Sequence, residues 1–303
     1  MRIVFMGTPG FAVPSLAALI NAGFNVVGVV TAPDRPAGRG QQIQESEVKK
    51  YALSKNLPIL QPEKLKNPDF INELKSLKAD LQVVVAFRML PEIIWNMPVK
   101  GTINLHASLL PQYRGAAPIN HVIINGEKET GVTTFFLQHE IDTGDIIQSA
   151  SLSISDDENA GQLHDRLMEL GAEVLVNTVK LIENNNYNSI PQREDEIIKF
   201  APKLTKEFCR INWNKPTVEV YNHIRGLSPY PTAFTTIKDK NLKVFSSKML
   251  LVNNNVAPGT FESDGKTFLK FKTADGYLEL IDVQLEGKKR MDIESLLRGF
   301  KIN

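Results

Sequence analysis

The 303-residue sequence predicts an α/β fold, with a doubly wound, mostly parallel sheet followed by a small C-terminal β-barrel. Over residues 1–185, apolar strand-like runs alternate with helical patterns, which is typical of right-handed βαβ crossovers on a parallel sheet. After residue 231 the pattern changes to short strands separated by turn residues, which favours a barrel. The chain length also fits two domains better than one.

The first domain opens with a βαβ unit. Residues 2–6 form an apolar run that ends at Gly7-Thr8-Pro9-Gly10, and apolar residues then recur at helical spacing. Residues 25–31 predict a second buried strand, which Pro33-Asp34 follows. The glycine-rich turn lacks the full G-x-G-x-x-G spacing, and no acidic residue ends the second strand. A tight strand-to-helix turn is therefore favoured over a dinucleotide site.

The rest of the first domain continues the alternation of strands and helices. Further strands are predicted at 58–60, 81–87, 101–105, 131–138 and 146–150. Helices are predicted at 46–55, 68–78, 117–125 and 159–183. Ligands of doubly wound sheets bind at the carboxyl ends of the strands. The segments that fall there are Gly7-Thr8-Pro9, Phe87-Arg88 and Asn104-Leu105-His106.

The second half of the chain is organised differently. Residues 189–204 are irregular and predict a linker between a first domain at 1–188 and a second domain at 205–303. A helix is predicted at about 216–226. Short strands follow, and they are separated by turn signals at 238–241, 253–255, 263–265 and 274–276.

Charge is spread unevenly along the chain. The net charge is +1, but residues 203–303 hold 17 Lys and Arg against 11 Asp and Glu, which gives that part +6 and leaves −5 for the remainder. A basic C-terminal third fits a polyanionic partner such as a nucleic acid. An ordinary solvated surface would carry the same charges, so charge alone leaves both interpretations open.

Cysteine content and hydropathy bear on the compartment. The single cysteine, Cys209, excludes an internal disulfide, fits a reducing compartment and has no catalytic motif around it. No apolar stretch approaches the roughly 18 residues that span a membrane. The N-terminal residues are typical of a strand and not of a signal peptide. We therefore expect a cytoplasmic protein that does not associate with membranes.

Asn104, His106 and Asp142 are the candidates for chemistry. Asn104 and His106 are two residues apart on a predicted strand, so their side chains point to the same face. An amide beside an imidazole suits stabilisation of an oxyanion that develops on a carbonyl. Asp142 lies in a polar turn, where its carboxylate could orient His106 or take a proton from an attacking amine. For His106 alone, a buried structural histidine is the alternative.

Two other kinds of site are disfavoured. The histidines show no metal-ligand spacing and no cysteines accompany them, so no metal site is predicted; they stand at positions 106, 121, 139, 164 and 223. The nucleophile elbow G-x-S-x-G of serine hydrolases is absent. The residues alone thus predict a polar site for a reaction at a carbonyl group.

Sequence blocks over nearly the whole chain resemble a known family. In the first domain they are FMGTPGFA (5–12), TAPDRPAGRG (31–40), INLHASLLPQYRGAAP (103–118), ETGVTTF (129–135) and IDTGDI (141–146). In the second they are KLTKEFCRINW (203–213), IRGLSPYP (224–231), APGTF (257–261) and LEGKKRM (285–291). These blocks are similar to the folate-dependent formyltransferases. TAPDRPAGRG and the basic C-terminal part resemble the branch that modifies tRNA.

The resemblance implies a Rossmann-like formyltransferase fold with an OB-like barrel, and it implies a reaction. The formyl group of 10-formyltetrahydrofolate would pass to the α-amine of methionine on initiator tRNA. The folate is then a substrate, no permanently bound cofactor is expected, and the chain is expected to be a monomer.

Residue roles also follow from the resemblance. Asn104 and His106 would hold and polarise the formyl oxygen, while Asp142 would partner His106 and assist proton removal. The residues implied to contact folate are Phe87, Ser108, Leu109, Leu110 and Pro111. The residues implied to contact tRNA are Arg35, Arg39, Lys206 and Arg210.

One segment departs from the family. Where the family often has Ala-Tyr-Gly, two apolar residues and Leu-Pro, this chain has Ala86-Phe87-Arg88-Met89-Leu90-Pro91. Two alternative functions also remain open. A related enzyme could formylate a small amine, such as a ribonucleotide or an amino sugar, or hydrolyse formylfolate, although the basic second domain disfavours this. A non-catalytic tRNA-binding module is disfavoured by the intact polar trio.

Overall fold

The computed structural model describes residues 1–37, 42–193, 197–252 and 255–301. The chain divides into two compact units. Unit 1 comprises Met1–Arg114, Gly131–Leu152 and His164–Phe200. Unit 2 comprises Gly115–Thr130, Ser153–Leu163 and Ala201–Asn303, so two segments that precede residue 164 belong to the C-terminal unit.

The secondary structure follows the predicted alternation. The strands in chain order are β1 Arg2–Gly7, β2 Asn25–Val30, β3 Arg35–Ala37, β4 Gln42–Gln44, β5 Ile59–Leu60, β6 Leu81–Val85, β7 Thr102–His106, β8 Arg114–Gly115, β9 Glu129–Phe136, β10 Ile146–Ser153, β11 Phe200–Ala201, β12 Ala233–Ile237, β13 Lys240–Leu250, β14 Phe261–Ser263, β15 Leu269–Lys272, β16 Tyr277–Leu285 and β17 Met291–Asp292. The helices are α1 Val13–Asn21, α2 Glu47–Ser54, α3 Pro68–Ser76, α4 Glu92–Trp95, α5 Pro118–Ile124, α6 Ala160–Glu183, α7 Thr217–Gly226 and α8 Ile293–Gly299.

The central sheet has the strand order β10-β9-β7-β6-β1-β2-β5. The five strands from β7 to β5 run parallel, and β9 is antiparallel to β7. All of β6 is buried, and four of its five residues are apolar, the exception being Gln82; this fits a parallel strand that is covered on both faces. The predicted doubly wound, mostly parallel sheet is thus confirmed.

Strand ends converge at one edge of this sheet. In the parallel register Gly7 pairs with Val85, and Val85 pairs with Leu105, so β1, β6 and β7 end together. Gly7 begins a tight turn in which an added Cβ would lie 2.7 Å from the Cβ of Ala12 and 3.0 Å from the carbonyl oxygen of Val85. The sequence motif at this position therefore serves close packing of the backbone.

Unit 2 is built on an antiparallel sheet in the order β12-β13-β16-β15-β14, with β17 paired to β16. Lys238 and Asp239 both have positive φ, 46° and 59°, which is typical of a two-residue hairpin turn and lies within the turn signal at 238–241. The ring of Trp213 stacks on Phe271 in the core, with centroids 4.6 Å apart. Cys209 is buried, and burial raises the pKa of its thiol. The predicted strand-rich C-terminal barrel is confirmed as a half-barrel sheet.

No helix in the described parts of the chain combines the length and the apolar character that crossing a membrane requires.

Candidate active site

His106 ends strand β7 at the convergent edge of the central sheet. Asn104 and His106 alternate along β7 with Ile103 and Leu105, which are buried in the core. The two polar side chains therefore share one face of the strand. Asn104 is half-buried and His106 is 6% exposed. The parallel core thus presents an amide and an imidazole where β7 stops.

The orientation of the His106 ring is fixed by a backbone carbonyl. Its Nε2 lies 2.9 Å from the carbonyl oxygen of Tyr113. A carbonyl oxygen only accepts, so Nε2 carries a hydrogen and donates it. The other ring nitrogen, Nδ1, lies 3.8 Å from Oδ2 of Asp142. This separation exceeds that of a direct hydrogen bond, and it places the carboxylate of Asp142 where it would pair with a protonated His106 through its charge.

The turn that carries Asp142 has a well-defined shape. Asp142 has φ of 55°, in the left-handed region that aspartate tolerates better than most residues. A side chain at Gly144 would meet the carbonyl oxygen of Phe136 at 1.6 Å, so only glycine fits there. The amide Nε2 of Gln192 donates to the carbonyl oxygens of Asp142 and Gly144, at 2.9 and 2.8 Å. These constraints aim the Asp142 carboxylate at His106.

The loop after β7 is held by its own hydrogen bonds. The hydroxyl of Ser108 donates to the carbonyl oxygen of Gln112 at 2.6 Å. Thr133 donates to the carbonyl oxygen of Ser108 at 2.7 Å and accepts from the backbone amide of Leu110 at 3.1 Å. Ser108 and Leu110 therefore shape the loop. Leu109 and Pro111 remain partly exposed.

Phe87 and Arg88 follow β6 at the same edge. Phe87 is half-buried, and the guanidinium of Arg88 lies 5.6 Å from the centre of its ring. Arg88 donates to the carbonyl oxygens of Pro62 and Glu63, the latter at 2.9 Å. Burial lowers the pKa of Arg88, and the nearby charge of Arg35 lowers it further. Arg88, which stands where the family often has glycine, thus connects the segment after β5 to the segment after β6.

Arg35 is exposed at the start of a short hairpin in which β3 and β4 pair antiparallel. Its neighbour Asp34 accepts hydrogen bonds from Lys49 and from Gln61, the latter at 2.8 Å. The bond from Lys49 is the main reason that the pKa of Asp34 is lowered. The start of β3 is therefore held to Lys49 on α2 and to Gln61. Arg39 lies outside the described residues.

Two predicted tRNA contacts belong to unit 2. Lys206 and Arg210 are both exposed. The guanidinium of Arg210 lies 5.3 Å from the ring centre of Phe234, a cation–π distance. These two residues and Arg35 are therefore divided between the units, whereas the polar trio, Phe87 and the loop 108–111 all lie in unit 1.

Sequence reasoning missed several groups that shape the site. The carbonyl of Tyr113 and the side chains of Thr133 and Gln192 contact the trio or its loops, and the side chain of Arg114 contacts Gln192. Tyr113 and Arg114 stand inside the block 103–118, but a backbone carbonyl leaves no signal in a sequence. Gln192 stands in an irregular segment without a motif. Among the described residues, no cluster of three or more His, Cys, Asp or Glu could hold a metal ion.

Family models match both parts of the chain. The formyl transferase domain model matches residues 1–179, and the model of the formyl transferase C-terminal domain matches residues 203–301. The N-formyltransferase from Helicobacter canadensis, solved in complex with folinic acid and dTDP-3-aminofucose, has a similar structure with a TM-score of 0.66. It is 20% identical over 96% of this chain and 100% of that one, which shows a shared fold.

Two curated relatives are much more similar in sequence. The methionyl-tRNA formyltransferase of Bacteroides fragilis is 54% identical over 310 aligned positions, covering 100% of this chain and 96% of that protein. The methionyl-tRNA formyltransferase of Flavobacterium johnsoniae is 53% identical over 303 positions, covering 99% and 96%. The resemblance drawn from the sequence blocks is confirmed. The chain therefore belongs to the formyltransferase family, on the branch of the methionyl-tRNA formyltransferases.

Proposed function

We propose that this chain transfers the formyl group of 10-formyltetrahydrofolate to the α-amine of methionyl initiator tRNA, giving the N-formylmethionyl-tRNA used in translation initiation. The observation that carries the proposal is the placement of His106 between the carbonyl of Tyr113 and the carboxylate of Asp142, beside Asn104. The high identity to methionyl-tRNA formyltransferases supports the choice of acceptor.

The chemistry needs no covalent enzyme intermediate. The neutral amine attacks the formyl carbon, a C–N bond forms, and the carbonyl oxygen becomes an oxyanion. The amide of Asn104 donates to that oxygen. As the tetrahedral centre forms, the amine passes its proton to Nδ1 of His106, assisted by Asp142. The bond between the carbon and N10 of the folate then breaks, and tetrahydrofolate leaves after N10 takes that proton from His106.

His106 and Asp142 share the work of moving charge. Nε2 of His106 is committed to the carbonyl of Tyr113, so Nδ1 is the nitrogen that exchanges a proton at the site. A proton on Nδ1 creates an imidazolium cation 3.8 Å from the carboxylate of Asp142. The carboxylate stabilises that cation, and the cation in turn stabilises the oxyanion.

The folate, which donates the formyl group, and the tRNA, which accepts it, are assigned to different residues. Phe87, Leu109 and Pro111 supply partly exposed apolar area for the flat ring system of the folate, while Ser108 and Leu110 hold the loop in shape. Guanidinium groups suit phosphates and unpaired bases. We assign contacts with tRNA to Arg35, Arg39, Lys206 and Arg210.

The arrangement of the whole protein follows from the same proposal. The catalytic domain is assigned to residues 1–188, the linker to 189–204 and the tRNA-binding domain to 205–303. The folate is a substrate, and no resident cofactor is part of the proposed reaction. A cytoplasmic monomer fits an enzyme of translation initiation.

A substrate comparison tests the proposal. The purified chain is assayed with 10-formyltetrahydrofolate and, as acceptors, methionyl initiator tRNA, methionyl elongator tRNA and a nucleotide-linked amino sugar. We expect formylation of the initiator tRNA to be much faster than that of the other two. Equal rates on the two tRNAs would refute the acceptor specificity, and transfer to the sugar alone would select the small-amine alternative.

A further inference from the structure

We infer that Gln192 is a positioning residue that holds the Asp142 turn in place relative to His106. Gln192 lies between α6 and β11, in the irregular segment predicted as a linker, and it is half-buried. The inference rests on the proposed function, because it assigns Gln192 a role in the same reaction. The side-chain amide of Gln192 makes four hydrogen bonds that support this role.

The amide of Gln192 uses all of its hydrogen-bonding capacity. Nε2 donates to the carbonyl oxygens of Asp142 and Gly144, at 2.9 and 2.8 Å. Oε1 accepts from Nε and Nη2 of Arg114, at 3.0 and 2.7 Å. A glutamine amide has two N–H donors and one oxygen with two lone pairs, so no capacity is left over.

The chemistry of the partners sets the orientation of this amide. A reversed amide would place its oxygen against two carbonyl oxygens and its NH₂ group against a guanidinium, and neither contact could form a hydrogen bond. A carboxylate at this position could still pair with Arg114 but could not donate to the turn. The site therefore requires an amide on a side chain of this length.

Gln192 connects the two groups that flank His106. Its donors hold the turn whose carboxylate faces Nδ1 of His106. Its acceptor holds Arg114, which directly follows Tyr113, and the carbonyl of Tyr113 accepts from Nε2 of His106. One side chain thus fixes the distance between the backbone that orients the imidazole and the backbone that carries the carboxylate.

The surroundings of Gln192 are themselves well anchored. Ile190 and Ile146 exchange two backbone hydrogen bonds, at 2.8 and 2.9 Å, just before Gln192 and just after the Asp142 turn. Further along, the carbonyl oxygen of Lys199 accepts from the backbone amide of Tyr113 at 2.6 Å. Arg114 is only 9% exposed, and its charge-assisted bonds to Gln192 are stronger in such surroundings.

The experiment compares three variants of the full chain in the formyl-transfer assay. Gln192→Met keeps the length and removes all four bonds, and Gln192→Glu keeps the pairing with Arg114 and removes both donations. The matched control is Gln148→Met, since Gln148 is also half-buried, lies on β10 in the same unit and accepts one bond from Thr178 at 3.0 Å. Thermal unfolding confirms that each variant is folded at the assay temperature.

We expect both Gln192 variants to lower kcat about 10- to 100-fold, because a misplacement of about 1 Å costs on the order of 10²-fold. KM for the folate and for the tRNA should stay within about threefold, since neither binding surface changes. Gln148→Met should remain near wild type. A kcat equal to that of the control, or a loss confined to KM, would overturn the assignment.

Hydrogen exchange separates this inference from the proposed function. Backbone amides of residues 140–145 should exchange faster in Gln192→Met than in wild type or in Gln148→Met, because the turn loses its support. This readout needs no substrate, so it decides the structural role even for a wild-type chain that fails to formylate methionyl-tRNA. Equal amide exchange rates of residues 140–145 in Gln192→Met and in wild type would by themselves refute the inference.

Discussion

The charge of Asp142 is the part of the proposed mechanism that a single substitution tests most directly. Asp142→Asn removes the negative charge and keeps the size and shape of the side chain. Asparagine tolerates the left-handed region as well as aspartate does, so the φ of 55° at this position is preserved. Any loss of activity then reports on charge and proton transfer rather than on the conformation of the turn.

The expected loss can be worked from one distance. Unit charges 3.8 Å apart, the separation of His106 Nδ1 and Asp142 Oδ2, attract by about 4 kcal/mol at an effective dielectric constant of about 20, and by about 1 kcal/mol in bulk water. Each 1.4 kcal/mol corresponds to about tenfold in rate. The two side chains are 7% and 13% exposed, so the interaction lies nearer the first value. We expect kcat to fall by about 10²- to 10³-fold.

The assay is steady-state formyl transfer with both substrates saturating, so that kcat is measured apart from binding. Glu140→Gln is the control, because it makes the same change of charge at an exposed residue of the same turn. Melting curves of both variants establish that the fold is intact. A kcat within about threefold of wild type for Asp142→Asn, or an equal loss in the control, would refute the role given to this carboxylate.

Three further predictions concern other parts of the chain. Burial lowers the pKa of His223 from 6.5 to about 4, so its neutral form favours the folded state above pH 6.5 and that contribution is lost as the pH falls from 6.5 towards 4. His223→Gln should therefore show a smaller fall in Tm across that range, and an equal fall would contradict the assignment. Arg35→Ala should raise KM for methionyl initiator tRNA and reduce the slope of log affinity against log salt by about 1, measured by filter binding, without changing KM for the folate. Arg88→Gly should raise KM for the formyl donor about three- to tenfold, because the segments at Pro62 and Phe87 lose their connection. An unchanged KM for the formyl donor would show that Arg88 does not shape the folate site.

The sequence predicted the central sheet well because its strands are buried on both faces. Residues 81–87 were expected to form a strand, and β6 covers Leu81–Val85. It stops two residues early because Ala86 adopts a φ of 47°, which a strand cannot continue. The long helix predicted at 159–183 is α6, Ala160–Glu183. Continuous apolar runs and long amphipathic periods are strong signals, so these elements were accessible.

Several short elements were not predicted, for a physical reason. Helix α4 has four residues and α8 has seven, and helices of this length depend on tertiary contacts rather than on their own propensity. Within α8, the apolar residues Ile293, Leu296 and Leu297 are buried, which supplies those contacts. Strands β3 and β4 have three residues each, which is too short to show the period of a strand in the sequence.

The residues of the candidate site also fall into those that a regular sequence pattern predicts and those that it does not. Side-chain groups with a regular spacing were found from sequence, as for Asn104 and His106 on one face of β7. The carbonyl of Tyr113 was not found, because every residue has a carbonyl and only the path of the chain decides which one reaches an imidazole. The same holds for Gln192, whose partners are two carbonyl groups and a distant arginine.

The irregular composition of the described residues 189–193 and 197–204 is explained by the partners of their hydrogen bonds. Backbone groups of a segment without repeating structure still need partners. Ile190 bonds to Ile146 at the foot of the Asp142 turn, and Lys199 bonds to Tyr113 beside His106. The side chain of Gln112 bridges the same region, donating to Ile197 and accepting from the backbone amide of Lys199. These residues follow the contours of the loops they bind, so they show neither the period of a helix nor that of a strand. Residues without a periodic signal can therefore be held by specific hydrogen bonds, and Ile190 and Lys199 are held next to the groups on either side of the imidazole.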